Sequence, residues 1–522
     1  MGKFIDFGNE GFQSARNGEY IDKSGLIERI NRTLFSEQRF SCVTRSRRFG
    51  KSMAAKMLCA YYDHSCDSRE LFSDLKIALS PSYEKHLNKY PVIFLDISDF
   101  VTRYNEDTIV KEMDVQIRED IHSVYTDVPV LDSDDLMDYL FRIAQATEQR
   151  FIFIIDEWDA ICREFKSGTK VMDEYVNWLR RMFKGGLSMR VFAAVYMTGI
   201  LPIKKYDTQS ALNNFIEYSM LEPRSLSHYF GFTKEEVQAL SAQNGMDYDE
   251  LEKWYDGYQI GDETSIFNPN SVIQAIDVGR CRSYWASTGA YDAVSNYIQM
   301  NYEGLKDHII RMLAGERCKV DPTGFGNDMF DIRNRDDVLT VLIHLGYLSY
   351  NWRDRECYIP NREVAGEMVN AIKTNNWQRL TDAIEQSEQL LKSTLMGDEK
   401  AVAIGIELAH DENTSILSYN DENSLACVLT IAYYYARNDY VIYRELASGK
   451  GFADLVLIPR KSVDSPAMVI ELKYNHDADS AIDQIHRKCY PAKVKQYTGN
   501  LLLVGISYDR KTKTHECVIE RL

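Results

Sequence analysis

Three short apolar runs, each ending abruptly in a polar residue, constrain the fold of this chain most strongly. They are Val92–Leu95 before Asp96, Phe151–Ile155 before Asp156, and Val191–Met197 before Thr198. Their apolar character is continuous rather than alternating, which is typical of strands buried on both faces of a parallel sheet flanked by helices. Helical stretches separate the runs, so residues 1–200 are predicted to form an α/β domain.

The pattern changes twice in the remainder of the chain. From about 210 to 400 it is mostly helical, with turn signals at Asp256-Gly257 and Asn268-Pro269. After about 420 the order is a helix, three strands, a second helix and a last strand, at 424–438, 440–445, 453–458, 467–473, 480–490 and 501–506. This order predicts a second α/β unit, separate from the first.

Composition is that of a globular protein, with 45% apolar and 27% charged residues. The formal charge of −17 argues against a surface that is basic throughout, but it leaves room for one basic cleft. No apolar run approaches the ~18 residues of a membrane span, and the first residues lack a signal layout. The ten cysteines contain no Cys-x-x-Cys pair, which favours reduced thiols. We therefore expect a cytoplasmic protein with no membrane partner.

A phosphate-binding candidate lies at residues 44–52, between a predicted strand and a predicted helix. Backbone N–H groups and the helix dipole attract phosphate at such a junction. Gly50 allows close approach of the backbone, Lys51 can reach the β- and γ-phosphates, and the Ser52 hydroxyl can bind Mg²⁺. Arg45 stands where the P-loop pattern requires its first glycine, so Gly-Lys-Ser is a weak signal by itself.

The strand that ends at Ile155 strengthens this candidate. It is followed by Asp156-Glu157, as in a Walker B element, where Asp156 would hold Mg²⁺ and Glu157 would orient an attacking water. Thr198 follows the next strand, where a γ-phosphate sensor is expected. The alternative is that all three are ordinary polar residues at strand ends.

The arginines of the phosphate loop leave three interpretations open. Arg45, Arg47 and Arg48 could bind phosphate, act as a finger toward a neighbour's nucleotide, or be solvated. A finger would require a homo-oligomer, for which the sequence gives no evidence.

Carboxylates on two neighbouring strands form the second candidate site. Asp454 begins one predicted strand, and Glu471 lies on the next strand, on the same face as Lys473. Converging carboxylates repel unless a divalent cation lies between them, and hard oxygen ligands suit Mg²⁺ or Mn²⁺. Such a metal can generate hydroxide and polarise a phosphodiester, while Lys473 positions water or offsets developing charge. Gln484, Lys488 and Glu422, on the flanking helices, could extend the site.

The alternative for this pattern is a solvated strand face with a cross-strand ion pair. Local charge favours the metal site, because residues 440–522 carry 13 Lys+Arg against 10 Asp+Glu, a formal charge of +3. The rest of the chain sums to −20, so the C-terminal unit is the part that best tolerates a polyphosphate ligand.

An ordered set of motifs extends along nearly the whole chain. Its members are Tyr20-Ile21-Asp22-Lys23-Ser24, Arg47-Arg48-Phe49-Gly50-Lys51-Ser52, Ile155-Asp156-Glu157-Trp158-Asp159, Leu212-Asn213-Asn214, Trp254-Tyr255-Asp256-Gly257-Tyr258, Phe267-Asn268-Pro269, Leu345-Gly346-Tyr347-Leu348, Ile359-Pro360-Asn361-Arg362-Glu363, Gly451-Phe452-Ala453-Asp454, Glu471-Leu472-Lys473 and Gln484-Ile485 with Tyr490. The set resembles the bacterial AAA-ATPase-like proteins that carry a PD-(D/E)XK nuclease domain at their C-terminus.

The resemblance implies an α/β multidomain fold. Its parts would be a P-loop ATPase core with a parallel sheet and a helical lid at 1–285, a mostly helical connector at 286–400, and a restriction-endonuclease-like domain at 401–522. It also implies that Lys51 and Ser52 bind nucleotide phosphate and Mg²⁺, and that an Arg-rich loop replaces the first P-loop glycine. The implied Walker B pair is Asp156-Glu157, and the implied nuclease core is Asp454, Glu471 and Lys473.

Three functional hypotheses follow from these features. The leading one is an ATP-controlled, metal-dependent nuclease that acts on DNA or RNA. The second is a nucleotide-dependent regulatory or nucleic-acid-binding protein with an inactive nuclease fold, which the joint presence of Asp454, Glu471, Lys473 and Gln484 disfavours. The third is an interaction protein whose Gly50-Lys51-Ser52 segment binds an incidental phosphate.

Overall fold

The computed structural model describes residues 2–131, 134–165, 169–203, 205–206, 209–210, 212–285, 291–300, 302–373, 377–413, 422–448, 451–460, 463–474, 477–487, 500–509, 512 and 514–522. The chain forms two compact units: a first unit of 1–288 with 319–365, and a second unit of 289–318 with 366–522. The three-domain boundaries after residues 285 and 400 stay a prediction.

The helices and strands of the described residues are numbered in chain order. The helices are α1 (Glu10–Arg16), α2 (Gly25–Asn31), α3 (Lys51–Tyr62), α4 (Arg69–Phe72), α5 (Tyr83–His86), α6 (Ile97–Arg103), α7 (Ile109–Val124), α8 (Leu136–Thr147), α9 (Ala160–Glu164), α10 (Lys170–Phe183), α11 (Ser188–Val191), α12 (Lys234–Asn244), α13 (Tyr248–Tyr255), α14 (Pro269–Val278), α15 (Tyr291–Gln299), α16 (Leu305–Leu313), α17 (Arg335–Leu345), α18 (Arg362–Lys373), α19 (Gln378–Met396), α20 (Glu399–Asn413), α21 (Glu422–Ala432) and α22 (Ala478–Arg487). The strands are β1 (Phe40–Thr44), β2 (Val92–Asp96), β3 (Phe151–Asp156), β4 (Phe192–Gly199), β5 (Lys205–Tyr206), β6 (Gln209–Ser210), β7 (Ile216–Tyr218), β8 (Phe232–Thr233), β9 (Tyr258–Ile260), β10 (Glu263–Phe267), β11 (Cys318–Lys319), β12 (Ser349–Asn351), β13 (Glu356–Tyr358), β14 (Tyr440–Ser448), β15 (Gly451–Pro459), β16 (Ala467–Tyr474), β17 (Leu501–Asp509) and β18 (Thr514–Arg521).

A five-stranded sheet of order β2-β3-β4-β1-β7 forms the centre of the first unit, and every pair in it is parallel. Alternate residues of β3 enter different cores: Phe153 and Ile155 pack with α6–α10, whereas Ile152 and Ile154 pack with α1–α3. Burial on both faces explains why the runs are apolar without alternation. The predicted parallel sheet is therefore confirmed.

The helical lid follows the sheet. Helix α12 begins in a capping box in which Thr233 and Glu236 bond each other's backbone, and Asn268 caps α14 with Pro269 at its first position. The small antiparallel sheet β8-β10-β9 packs among these helices. The sequence pattern did not predict it, because its strands have only two to five residues and cannot establish a period-2 pattern.

The second unit contains a mixed sheet of order β14-β15-β16-β17-β18. Only β16 and β17 pair in parallel, and α22 connects them as a crossover. The helix predicted at 424–438 is shorter than expected, because the chain changes from α21 to a 3₁₀ turn at 434–438. This α/β arrangement confirms the predicted fold class.

Candidate functional site

The first candidate site lies at the carboxyl edge of the parallel sheet, where ligands bind in open α/β folds. The loop after β1 turns into α3 at Gly50, whose φ of +89° is left-handed and costs glycine little. Ser52, the second residue of α3, is half-buried at the same helix N-terminus. The structure thus places a glycine turn, a lysine and a hydroxyl where backbone N–H groups collect.

Lys51 is the buried cation of this site, with only 4% of its surface exposed. Its Nζ donates to the Ser46 carbonyl at 3.1 Å and lies 3.9 Å from Oε1 of Glu157. Burial lowers the pKa of Lys51, and the carboxylates of Glu157 and Asp156 oppose that shift. An anion beside Lys51 would therefore stabilise a charge that burial makes costly.

Asp156 and Thr198 meet at the ends of neighbouring strands. Thr198 Oγ1 donates to Asp156 Oδ1 at 2.5 Å, and the Glu157 backbone N–H donates to the same oxygen at 3.1 Å. Asp96 lies in register with Asp156 on the other side, at the end of β2. Burial, and to a lesser extent Asp156, raises the pKa of Asp96. Three polar side chains thus converge on one edge of the sheet.

Glu157 takes a backbone conformation that non-glycine residues rarely adopt, with φ of +51°. Such a conformation costs about 1–3 kcal/mol and persists only where its surroundings hold it. Its Oε2 accepts from Nη2 of Arg163, and Arg163 also lies 3.3 Å from Asp159. Sequence reasoning missed Asp159 and Arg163. Their i,i+4 spacing, directly after the Walker B acids, is the signal that could have found them.

The three loop arginines have different environments. Arg45 is fully buried, donates to the carbonyls of Thr44 and Tyr218, and lies over the Phe230 ring at 5.2 Å. Burial lowers its pKa to about 9. Arg45 is thus not solvated, and its guanidinium holds backbone carbonyls.

Arg48 and Arg47 lie nearer the helix N-terminus. Arg48, which we predicted to bind nucleotide, directs Nη1 to the Tyr284 carbonyl at 2.8 Å. Arg47 is half-buried, and burial followed by the nearby charge of Arg163 lowers its pKa. Arg47 and Arg163 are therefore close enough for their charges to interact.

The second candidate site forms where β15 and β16 separate. Their antiparallel pairing ends with Leu455 opposite Ile470. Asp454 and Glu471 are the next residue on each strand beyond that pair. Oδ2 of Asp454 accepts from the Leu472 backbone N–H at 2.7 Å. The structure thus brings the two predicted carboxylates to neighbouring positions.

Glu471 lies at the centre of this second group of residues. Its side chain is 3% exposed, its Oε1 accepts from Nε2 of Gln484, and Nζ of Lys473 lies 3.9 Å away. Helix α22 brings Gln484 close to Glu471 because the helix packs on Gly505. Gly505 lies in β17 and pairs with Glu471 of β16. A Cβ at Gly505 would lie 2.6 Å from the Ala478 carbonyl oxygen.

Oxygen ligands are the donors that a hard divalent cation prefers, and Asp454 and Glu471 supply them. No group of three His, Cys, Asp or Glu that could hold a metal occurs within the described residues. Glu422 begins α21, but its side chain lies outside the described part of the chain, as do Lys488 and Tyr490. The described residues therefore supply two carboxylates of the kind that a hard divalent cation prefers, and no third such ligand beside them.

Among the described helices, none is both long enough and apolar enough to cross a bilayer.

Residues 7–209 match the protein family described as "Predicted AAA-ATPase", and residues 420–517 match the family described as "PD-(D/E)XK nuclease superfamily". The first match contains the whole site around Lys51, and the second contains Asp454, Glu471, Lys473 and Gln484.

One curated relative, an uncharacterized protein in the vnfD 5' region of Azotobacter chroococcum mcd 1, is 24% identical over 298 residues. The match covers 55% of this chain and 54% of the relative, so the chain spans about half the length of the curated relative it matches.

Two solved structures overlap with much of the chain at low similarity. ORC2 of Aeropyrum pernix is 13% identical with a TM-score of 0.33, and covers 68% of this chain and 96% of its own. DnaA of Aquifex aeolicus is 9% identical with a TM-score of 0.26, and covers 71% and 95%. At TM-scores this low, neither likeness bears on function.

Proposed function

We propose that this chain, which joins an AAA-ATPase-like domain to a domain of the PD-(D/E)XK nuclease superfamily, uses ATP to control a metal-dependent nuclease. Support comes from two groups of residues suited to phosphate chemistry, one in each unit. The substrate is DNA or RNA, and the location is the cytoplasm. A homo-oligomer, which an arginine finger would require, stays a hypothesis.

The nucleotide end of the proposal rests on the residues around Lys51. Lys51 and the N-terminus of α3 bind the phosphates, with Arg48 as a further cation if it leaves the Tyr284 carbonyl. Ser52 and Asp156 would hold Mg²⁺, which offsets charge on the phosphates when bound. Thr198 orients Asp156 through its hydroxyl, and Glu157 is the group that orients the attacking water.

The nuclease end of the proposal rests on the residues around Glu471. Asp454 and Glu471 would hold Mg²⁺ or Mn²⁺, and Glu422 is a further proposed ligand. The bound metal would supply a hydroxide-generating and phosphate-polarising centre. Lys473 offsets developing charge beside Glu471, and Gln484 fixes the orientation of that carboxylate.

One observation carries the nuclease proposal: Glu471 is almost completely buried, yet Gln484 and Lys473 both converge on its carboxylate. A solvated strand face would leave this glutamate exposed. Burying a carboxylate is costly, and a protein retains that cost where the charge has a use.

Cleavage of single- and double-stranded DNA and RNA tests this function. The full chain is incubated with Mg²⁺ or Mn²⁺, with and without ATP, beside Glu471→Ala and Lys51→Ala. We expect metal-dependent cleavage by the wild type and no cleavage by Glu471→Ala. We expect ATP to change the rate of cleavage by the wild type but not by Lys51→Ala. Cleavage by Glu471→Ala equal to that by the wild type would refute the nuclease assignment. Binding of nucleic acid without any cleavage would favour the regulatory alternative.

A further inference from the structure

The carboxylate of Glu157 lies between two cations of unequal closeness. Arg163 Nη2 is in direct hydrogen-bond contact with Oε2, whereas Lys51 Nζ stays 3.9 Å from Oε1, beyond hydrogen-bond distance. All three side chains are largely buried, with exposed fractions of 16% for Arg163, 22% for Glu157 and 3% for Lys51. Arg163 is therefore the nearer of the two cationic partners of this carboxylate.

Arg163 is itself held in a fixed orientation. Asp159 is fully buried, and its Oδ2 accepts from the backbone N–H groups of Ile200 at 3.1 Å and Leu201 at 2.8 Å. The same oxygen lies 3.3 Å from Nε of Arg163. One edge of the guanidinium thus faces an anchored carboxylate, while its far end reaches Glu157. The loop that follows Thr198 is in this way connected to Glu157 through two ion pairs.

We infer that Arg163 is the positioning residue of Glu157, a role that rests on the proposed hydrolysis of ATP. A phosphate that binds Lys51 takes the more distant cation away from Glu157, and Arg163 remains as its partner. The left-handed backbone at Glu157 places the side chain in an unusual direction, so a fixed partner determines where the carboxylate points. Arg163 acts on the reaction through Glu157 and does not need to touch the nucleotide.

The test compares Arg163→Gln and Arg163→Lys with a matched control in the same unit. Arg118 on α7 also forms an i,i+4 ion pair, 3.2 Å from Asp114 and with 24% of its side chain exposed, far from the phosphate loop in sequence. We expect kcat for ATP to fall about 10–100-fold in Arg163→Gln and less in Arg163→Lys, because misplacement of a reacting group by ~1 Å costs about that much. The Kd of a non-hydrolysable ATP analogue should stay within about threefold, and Arg118→Gln should change neither quantity.

Two further measurements separate positioning from a merely structural role. Guanidinium chloride at millimolar concentration should restore part of the kcat lost in Arg163→Ala, but should not affect Arg118→Ala. In the nucleotide-free protein, Arg163→Gln and Glu157→Gln should lower the midpoint of thermal unfolding less than additively, because the two side chains contact each other.

Each negative result has a distinct meaning. Arg163→Gln with wild-type kcat, or with Kd weakened as much as kcat/KM, would overturn the positioning role alone. Additive effects on thermal unfolding would show that the contact with Glu157 is absent, and would overturn it as well. If the wild type hydrolyses no more ATP than Lys51→Ala, both the proposed hydrolysis and the role of Arg163 fall, even with the contact intact.

Discussion

The two candidate sites differ in how far apart their residues lie along the chain. The site in the first unit takes side chains from three segments, 46–52, 156–163 and 198–201, which the parallel sheet brings to one edge. The described side chains of the site in the second unit lie within residues 454–484, on two adjacent strands and the helix that follows. A site built from neighbouring elements depends on local register, whereas the other depends on the whole sheet.

The sites also differ in what holds their carboxylates. In the first unit, Glu157 and Asp159 are paired with the guanidinium of Arg163. In the second, Asp454 and Glu471 accept hydrogen bonds from a backbone N–H and a side-chain amide, and the Lys473 ammonium lies 3.9 Å from Glu471, beyond hydrogen-bond distance. Neutral donors and a more distant ammonium neutralise less of a carboxylate's charge than a guanidinium in direct contact does, so more of it remains for a bound cation. The comparison therefore predicts that the carboxylates of the second unit act mainly by binding a metal, whereas Glu157 in the first unit acts mainly through the position in which Arg163 holds it.

The largest expected effect is loss of cleavage in Glu471→Gln. Removing a charged metal ligand should lower the cleavage rate about 10³-fold, equivalent to ~4 kcal/mol of transition-state stabilisation. Because the first site shares no residue with the second, ATP hydrolysis should stay within about twofold. Single-turnover cleavage and phosphate release on the same preparation check both. Glu516→Gln, an exposed position on β18, is the control.

A loss of ATP hydrolysis in Glu471→Gln that equals the loss of cleavage would break the comparison. It would mean that the two sites act as one unit and that neither can be described by its own residues.

A smaller but still large effect is expected from Gly505→Ala. The new Cβ would meet the Ala478 carbonyl oxygen at 2.6 Å and Ile482 Cγ1 at 2.9 Å, and a backbone atom cannot move aside without moving α22. We expect about 1–3 kcal/mol of destabilisation of the second unit, together with slower cleavage as Gln484 shifts. Gly366→Ala in the same unit has no atom within 4 Å and lies in a helix, so it should stabilise by about 0.5–1 kcal/mol.

Calorimetry of each variant, with cleavage measured beside it, checks this prediction. Wild-type stability and cleavage in Gly505→Ala would show that α22 has room to move and that Gln484 is not held by close packing.

The sequence predicted the parts of both sites that follow from periodicity. Continuous apolar runs gave the parallel strands, and the acids at their ends necessarily meet at one edge. The two-residue period placed Glu471 and Lys473 on one face of their strand, and the antiparallel pairing of β15 with β16 brings Asp454 close to that strand. These inferences needed only local pattern and a general rule of strand geometry.

The parts that could not be predicted depend on contacts between distant segments. Arg45 donates to the carbonyl of Tyr218, which lies 173 residues further along the chain, so its burial has no local signature. The direction of Glu157 toward Arg163 depends on a left-handed backbone that residue type does not favour. Pairings of this kind are settled by the packed fold and leave no pattern in the sequence.

Gly199→Ala should have a smaller effect than Gly505→Ala, although the contacts are equally short. Its Cβ would lie 2.6 Å from Asp159 Oδ1 and 2.6 Å from Cδ1 of Trp158, which are side-chain atoms. Side chains can adjust by small rotations where a backbone carbonyl cannot, so we expect about 1 kcal/mol of destabilisation of the first unit. The rate of ATP hydrolysis should fall by more than the loss of folded protein alone would explain, because a shift of Asp159 also moves Arg163.

Thermal unfolding and kcat of Gly199→Ala test this expectation. A stability loss larger than that of Gly505→Ala would show that the buried ion pairs of the first unit are more rigid than the backbone packing of the second.

The smallest predicted effect concerns two ion pairs between a histidine and a carboxylate, one half-buried in the first unit and one exposed in the second. His64 Nε2 lies 3.2 Å from Asp6 Oδ1, and this hydrogen bond raises the pKa of His64 although burial opposes it. A raised pKa means that the folded state holds the proton more tightly. The stabilisation is therefore complete below the unfolded pKa of about 6.5, and it is lost as pH rises through the folded pKa. The thermal midpoint of His64→Gln should thus fall furthest below that of the wild type near pH 5.5 and approach it by pH 9.

The control is His486→Gln, because the side chains of His486 and Glu520 are each 44% exposed and their ion pair should contribute at most about 1 kcal/mol to the free energy of unfolding. A difference in thermal midpoint between His64→Gln and the wild type that grows as pH rises would contradict the charge assigned to His64.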